Sequence, residues 1–558
     1  MAWQISVMST DGAFFISLAQ RIERGVQQVE TQYDLNIYPL VLSWLHRAGL
    51  DWETAGELWG VLCGSLAVLP LFGWARRQFG QRVAVTACLL YAVHPKLIEW
   101  TPEILRESTF WLLLATYVYC LYRAVTEVRL RFFVACGVLW SLAVNTRFEA
   151  WFLLLPAVLW TLWRWFALQQ AKARLLLGMA LLVACYPLVM LLLLRAAGYD
   201  GWEWGTFQRL HLVARWLQSF HDESDDEPSP PSRRPATRRQ PTAPGDSAGG
   251  ASQPPPRDDA SQPDPREAAV PSPTCTHEPL PLAATPPTAR RARWVAPVDR
   301  LSFPALLWIY VHTLERGFTF VYGPLLLWGL AAHWRLWLRR DMQPLFYWCL
   351  LVLGGMWIHL WNSNETSSRY CMSLVMLGSP LAALGLVALC ATLARWLARD
   401  LPEVRPAIQQ RLLPALLGVL AIVGWTDALW SGFDGRQARA DLGRWLRAEL
   451  GPGAKVAGTA KWSLLNYYAQ GTFVRFPLDL HDAQPVDLVE WIGEVQPQAV
   501  VLCQRRFSTA EIHEVLVEAP RLGLHLVNPQ ELPLSCQAEA VVLLRHEVRD
   551  HLVRRPRP

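Results

Sequence analysis

Long apolar runs separated by short arginine clusters constrain this chain more than any other feature. Leu175–Leu194 and Leu374–Ala394 are each long enough to cross a hydrocarbon core, which takes roughly 17–25 helical residues. The same reading gives about ten spans, at approximately 58–75, 83–99, 107–122, 132–146, 150–167, 174–194, 318–337, 343–361, 371–394 and 411–430. The expected fold class is therefore an α-helical polytopic membrane protein. Twenty-nine tryptophans fit that class, because the indole ring favours the membrane–water interface.

The loops between spans sort into two sets. Arg76, Arg77 and Arg82, then Arg123, Arg129 and Arg131, then Arg164, Lys172 and Arg174, then Arg335, Arg339 and Arg340, and finally Arg395, Arg399, Arg405 and Arg411 fall in alternate loops. The positive-inside rule makes these cytoplasmic. Residues 1–57, 195–317 and the tail from 431 then lie outside, as expected of an integral protein of the cell inner or plasma membrane. Ten spans would place both chain ends outside, so an eleventh span before residue 57 is expected upstream of Met1. The net charge of +5 lies mostly in these clusters, which excludes a nucleic-acid footprint. The 11 cysteines form no CxxC pair. Those inside apolar runs read as small hydrophobes, while Cys503 and Cys536 in the tail are free to pair.

Five regions follow: a first extracytoplasmic loop (1–57), a membrane core in two parts (58–220 and 301–430), an insertion (221–300) and a soluble domain (431–558). The insertion is rich in Pro, Ser, Arg, Asp and Ala, as in PSPPSRRPATRRQP. It has too little apolar surface to offset ordering entropy and is expected to be disordered. Its flanks, Trp202–Phe220 and Phe303–Phe318, read as amphipathic segments along the membrane surface. In the tail, Arg436–Leu450 has helical periodicity and stops at Gly451-Pro452-Gly453. Ala499–Cys503 and Ala540–Leu544 read as buried strands, with helices near Val486–Ile492 and Thr509–Val517. A small extracytoplasmic α/β domain is expected, without GxGxxG or P-loop and so without a nucleotide site.

The outer loops gather the polar residues that need an explanation. They are Ser9-Thr10-Asp11-Gly12, the stretch His94–Glu107 with Glu99, Glu103, Arg106 and Glu107, the hairpin Asn145-Thr146-Arg147-Phe148-Glu149, and Trp361–Tyr370 with Arg369. Charges near membrane depth are costly, and single pairs such as Arg147 with Glu149 read equally well as loop-end salt bridges. Their recurrence on one face suggests a polar cavity opening outward. Such a cavity suits an anionic head group met by Arg and a nucleophile met by a carboxylate base. His94, His312 and His359 lack ligand spacing and read as interface or core histidines.

In their order and topology these segments resemble the GT-C superfamily of membrane glycosyltransferases. The nearest group is the protein O-mannosyltransferase and aminoarabinose-transferase-like one, glycosyltransferase families 39 and 83. The resemblance rests on Asp11 in STDGAFFISLAQRI with Tyr38-Pro39-Leu40, on the His-Pro loop ending in Glu107, on Asn145-Thr146-Arg147, and on Arg369-Tyr370. It covers residues 9–195 and 300–430. It implies transfer of a sugar from a polyprenyl-phosphate donor to an acceptor (protein, lipid or glycan) on the extracytoplasmic face, beside membrane lipid. In that reading Asp11 is the base, Arg106, Arg147 and Arg369 hold the donor phosphate, and Glu103 or Glu107 orients the acceptor or an Arg. No cofactor and no metal are implied. The chain departs from the family in its lone Asp11-Gly12, where many relatives carry paired acids, and in the insertion. A competing reading is a lipid or polysaccharide transporter, but no internal repeat of the kind transporters carry is visible.

Overall fold

The computed structural model describes residues 9–25, 36–168, 171–198, 301–339, 341–363, 366–399, 402–430, 434–458, 463–475, 485–503, 509–533 and 540–545. The expected insertion, the flank Trp202–Phe220 and Cys536 lie outside them. The chain divides into two units, and residues 210–291 form the second. Everything below concerns the first.

Six helical stretches are long and apolar enough to cross a membrane: Trp52–Phe79, Phe148–Ala167, Lys172–Ala196, Gln343–Trp361, Ser368–Leu397 and Arg405–Ala428. The protein is thus a multi-pass membrane protein. Each of the six overlaps an expected span. The other four expected spans take different forms. The one at 107–122 is a 21-residue helix, α7 (Glu107–Glu127), with charges at both ends. The one at 132–146 is the 17-residue α8 (Leu130–Thr146). The one at 83–99 is shortened to α5 (Gln81–Val93), because His94 turns extended before Pro95 and only a six-residue α6 (Pro95–Trp100) follows. A residue that precedes proline is pushed out of the helical region. The one at 318–337 is also interrupted. Helix α11 (Phe303–Phe318) ends at Thr319, whose φ is +57°, and the 11-residue α12 (Tyr322–Ala332) follows. The segment Phe303–Phe318, expected to be a surface flank, is therefore a full helix that packs on the neighbours of α12 through Leu306, Thr313 and Gly317.

The remaining elements before the tail are α1 (Thr10–Glu23), α2 (Ile37–Arg47), α3 (Trp52–Leu66), α4 (Val68–Phe79), α9 (Leu154–Ala167), α10 (Lys172–Ala196), α13 (Gln343–Ser363), α14 (Met372–Leu397) and α15 (Arg405–Trp430). Three of the five basic clusters meet one another. Arg77, Arg123 and Arg129 all reach Glu127, at 3.1, 2.8 and 3.4 Å. Arg339 meets Gln78 at 3.2 Å beside its own pair with Asp341.

Helix α3 carries a stripe of small residues. Gly56, Gly60 and Gly64 face the bend 101–105 that links α6 to α7. A Cβ on Gly56 would stand 2.6 Å from Ile104, one on Gly64 2.7 Å from Thr101, and one on Gly60 would collide with the Thr101 carbonyl oxygen. Small residues at helical spacing let irregular backbone approach closely, and here they seat the segment that delivers Glu103, Arg106 and Glu107.

The tail folds as expected, with α16 (Asp434–Leu450), α17 (Ser463–Ala469), α18 (Pro485–Val495) and α19 (Thr509–Glu518) around a five-stranded sheet. The strands are β1 (Lys455–Gly458), β2 (Thr472–Arg475), β3 (Ala499–Cys503), β4 (Leu524–Leu526) and β5 (Ala540–Arg545), in the order β2-β1-β3-β5-β4. β1 pairs parallel with β2 and β3, while β5 runs antiparallel to β3 and β4. Both sheet faces are covered by apolar clusters. The domain packs on the membrane part: Ala440, Leu464 and Tyr468 share one cluster with Ala13, Phe15, Ile16 and Leu18 of α1. Tyr468 also donates to Glu53 at 3.3 Å.

The glycine stripe yields a test. Gly60→Ala must displace the 101–105 bend, and overpacking of this kind costs about 1–3 kcal/mol. A lowered melting temperature of the purified protein is expected, whereas Gly418→Ala, with open space around its Cβ position, should change it little.

Candidate active site

Asp11 enters the site from the first turn of α1. Ser9 caps that helix by accepting from the Gly12 N–H at 3.1 Å, and a carboxylate in the first turn is favoured by the helix dipole. The apolar residues Ala13, Phe15, Ile16, Leu18, Ala19 and Ile22 of α1 are buried, so the helix is held from below while Asp11 sits at its free end.

Glu107 is the first residue of α7 and is buried. Arg147 follows the last turn of α8, where φ −143° and ψ 140° turn the chain extended. Asn36 holds that last turn by donating to the Thr146 carbonyl at 3.2 Å. A 3₁₀ segment, Phe148–Leu153, carries Glu149 and is pinned by Trp140, whose indole N–H donates to the Ala150 carbonyl at 3.0 Å. Arg369 lies in a second 3₁₀ turn, Ser368–Cys371, ahead of α14. Gly317 of α11 lets this turn come close, since a Cβ there would stand 2.8 Å from Cys371.

These five elements assemble an alternating chain of charges. Asp11 Oδ2 is in direct contact with Arg369 Nη1. Arg369 Nε lies 3.9 Å from Glu107 Oε1, which accepts from Arg147 Nη1 at 2.7 Å. Arg147 then donates to both oxygens of Glu149, through Nη2 at 2.5 Å and Nε at 3.1 Å. Tyr370 sits between the two guanidinium groups, with Arg369 5.5 Å and Arg147 5.3 Å from its ring centre. Exposure grades along the chain: the Asp11 side chain is 44% exposed, Arg369 25%, Arg147 5% and Glu107 3%. The arrangement is thus a mouth at Asp11 with a buried ionic floor.

The structure brings Asp11, Glu107, Arg147 and Arg369 together, as the sequence suggests. Arg106 lies over the Phe15 ring at 5.7 Å and within electrostatic reach of Glu149. Glu103 is buried in the seated bend, within electrostatic reach of Tyr38 and Glu57. Sequence reasoning passed over Glu149 and Tyr370 as site residues. Each is a close sequence neighbour of a chosen arginine, and that proximity was the available signal. Among the described residues no group of three His, Cys, Asp or Glu side chains stands close enough to hold a metal ion. The three histidines take different roles. His94 is buried against the Tyr322 edge at 4.9 Å. His359 stands edge-on to Tyr370 at 5.7 Å, while His312 pairs with Glu315 at 3.3 Å on an exposed face.

A family model described as dolichyl-phosphate-mannose-protein mannosyltransferase matches residues 38–202. The structure is similar to that of ArnT from Cupriavidus metallidurans bound to undecaprenyl phosphate. The TM-score is 0.53 at 15% identity, over 96% of this chain and 94% of that one. It is also similar to the archaeal oligosaccharyltransferase AglB from Archaeoglobus fulgidus in complex with an inhibitory peptide and a dolichol-phosphate. There the TM-score is 0.52 at 14% identity, over 94% of this chain and 70% of that one. No curated protein sequence matches the chain. The fold is that of the GT-C superfamily of membrane glycosyltransferases, as the sequence resemblance implied.

The buried floor yields a second test. Arg147→Ala leaves Glu107 and Glu149 without their shared cation, and breaking a buried pair from one side costs about 3–5 kcal/mol. A large drop in melting temperature is expected. Asp11→Asn removes only the exposed end of the chain, and its effect on stability should fall within about 1 kcal/mol.

Proposed function

We propose that this protein transfers a sugar from a polyprenyl-phosphate-linked donor to an acceptor hydroxyl on the extracytoplasmic face. The observation that carries the reading is the exposed carboxylate of Asp11 in contact with Arg369 at the mouth of the site, in a chain with the GT-C fold. The undecaprenyl phosphate bound by ArnT and the dolichol-phosphate bound by AglB support a lipid phosphate as the donor's leaving group. The meeting of Arg77, Arg123 and Arg129 at Glu127, away from the loops that carry the site, supports an outward-facing site under the positive-inside rule.

A hydroxyl is a poor nucleophile at neutral pH. Asp11 takes its proton as the oxygen attacks the anomeric carbon. The bond from that carbon to the phosphate oxygen breaks, and the lipid phosphate leaves with the negative charge. Arg369 is placed to receive it, and a guanidinium can hold phosphate oxygens in a fork. Arg106 adds positive charge from the adjoining helix start. Arg147 differs from them: its donors already serve Glu107 and Glu149, so its role is to hold Glu107 and to add to the field at the phosphate. Glu107 in turn orients the acceptor and Arg369.

The Asp11–Arg369 contact also orders events. While Arg369 is occupied by Asp11, the base is tied. A donor phosphate competes for the guanidinium and releases the carboxylate beside the sugar it must act on. The test uses purified protein with polyprenyl-phosphate sugars. Asp11→Asn should lower transfer at least about 100-fold, the scale of a lost general base, while donor binding persists. Arg369→Ala should raise the KM for the donor. Full activity in Asp11→Asn would remove the proposed base. Vectorial movement of a lipid without a covalent product would replace this reading with a transporter.

A further inference from the structure

Three buried polar atoms in the site make no hydrogen bond among the described residues: the Tyr38 hydroxyl, Glu107 Oε2 and Arg369 Nε. Buried polar atoms are satisfied in most native structures, since an orphan forfeits its bonds to water and gains nothing in return. Three orphans in one site call for a common cause. The Arg369 Nε–H is accounted for by the donor phosphate proposed above. The other two are not.

Tyr38 stands in the first turn of α2 and is fully buried. The edge of Phe15 from α1 packs on its ring at 5.4 Å. Burial above all, and then the negative charge of Glu107, keep its proton on to far higher pH than usual for a tyrosine. The phenol is thus a neutral hydroxyl, able to donate and to accept. Its ring shares an apolar cluster with Ile104 and Leu105, just ahead of Glu107, and Asn36, two residues before Tyr38, donates to Thr146 beside the arginine that holds Glu107. Glu107 is held by Arg147 through Oε1, which leaves Oε2 as an acceptor without a partner. A donor on α2 and an acceptor at the start of α7 therefore lie in one region of the site, and neither is hydrogen-bonded.

We propose that Tyr38 and Glu107 Oε2 form a recognition pair for a substrate hydroxyl, whose oxygen accepts from Tyr38 and whose proton is donated to Glu107. A hydroxyl satisfies both partners with one atom. A phosphate oxygen would be repelled by Glu107, and an apolar group would leave both atoms unpaired. The hydroxyl belongs either to the acceptor or to the sugar of the donor. Because α1 covers Tyr38, recognition goes with a shift of α1, and the Asp11–Arg369 contact that ties its first turn is the one a donor phosphate disrupts. The inference rests on the glycosyltransferase reading and adds a binding residue to it.

Tyr38→Phe removes one oxygen and keeps the ring. In the ligand-free protein the melting temperature should stay equal or rise, because an unsatisfied buried hydroxyl is gone. In transfer assays kcat/KM should fall roughly 10- to 100-fold, the range for a hydrogen bond in a charged site. A raised KM for the acceptor identifies an acceptor hydroxyl, and a raised KM for the donor identifies a sugar hydroxyl. Either supports the pair. Unchanged kinetics in an active protein overturns it, and so does a loss of activity that tracks a lowered melting temperature, which would show a structural role for the hydroxyl. A wild-type protein that transfers no sugar from any lipid-phosphate donor overturns the functional reading first, and is told apart from failure of the pair alone by the wild-type assay itself.

Discussion

Arg147 stands where an apolar bundle meets a polar mouth, and the cost of burying its charge organises everything near it. An isolated ion in a low-dielectric interior is prohibitive, so a buried guanidinium must be paired and its donors spread over several acceptors. Glu107 and Glu149 meet that demand from two directions. Their geometry fixes the relation of α7 to α8 and of both to the 3₁₀ segment that follows. Once Glu107 is held, Arg369 has a carboxylate to approach, and Asp11 completes the series at the surface. Such a pair adds little net stability compared with apolar packing. Its value lies in fixing directions, which is what transfer between two bound molecules requires.

The glycines supply the complementary constraint. Irregular backbone is tolerated at membrane depth only where protein covers it. The bend 101–105 is covered by the Gly56–Gly60–Gly64 face of α3, and the turn carrying Arg369 is approached by Gly317. Charge determines which residues meet, and the absence of side chains determines where the loops that bear them can lie. The two work on different elements and converge on one mouth.

Much of this was legible in the sequence, for physical reasons that differ by part. The membrane class followed from run length, and the sorting of loops from arginine placement. The strands Ala499–Cys503 and Ala540–Arg545 announced themselves as short β-branched runs between polar segments. Asp11, Glu107, Arg147 and Arg369 stood out because charges are rare near apolar helices. What local patterns missed were breaks and pairings. Pro95 shortened one expected span and Thr319 interrupted another, although their neighbours were apolar enough to continue. Glu107 accepts from Arg147, 40 residues away. Partners at that separation follow from helix packing, which no window of sequence contains.

The separations along the chain have a further consequence for biogenesis. Asp11 is made well before Arg369, and their contact spans 358 positions. The helix that bears it rests on Leu464 and Tyr468, and Tyr468 reaches Glu53 across 415. Closing loops of this size comes late in folding, because their entropy must be overcome before the contacts form. The mouth is therefore finished only after the α/β domain has emerged and docked. Until then Asp11 waits without its partner, and chains interrupted before the tail lack the surface on which α1 rests.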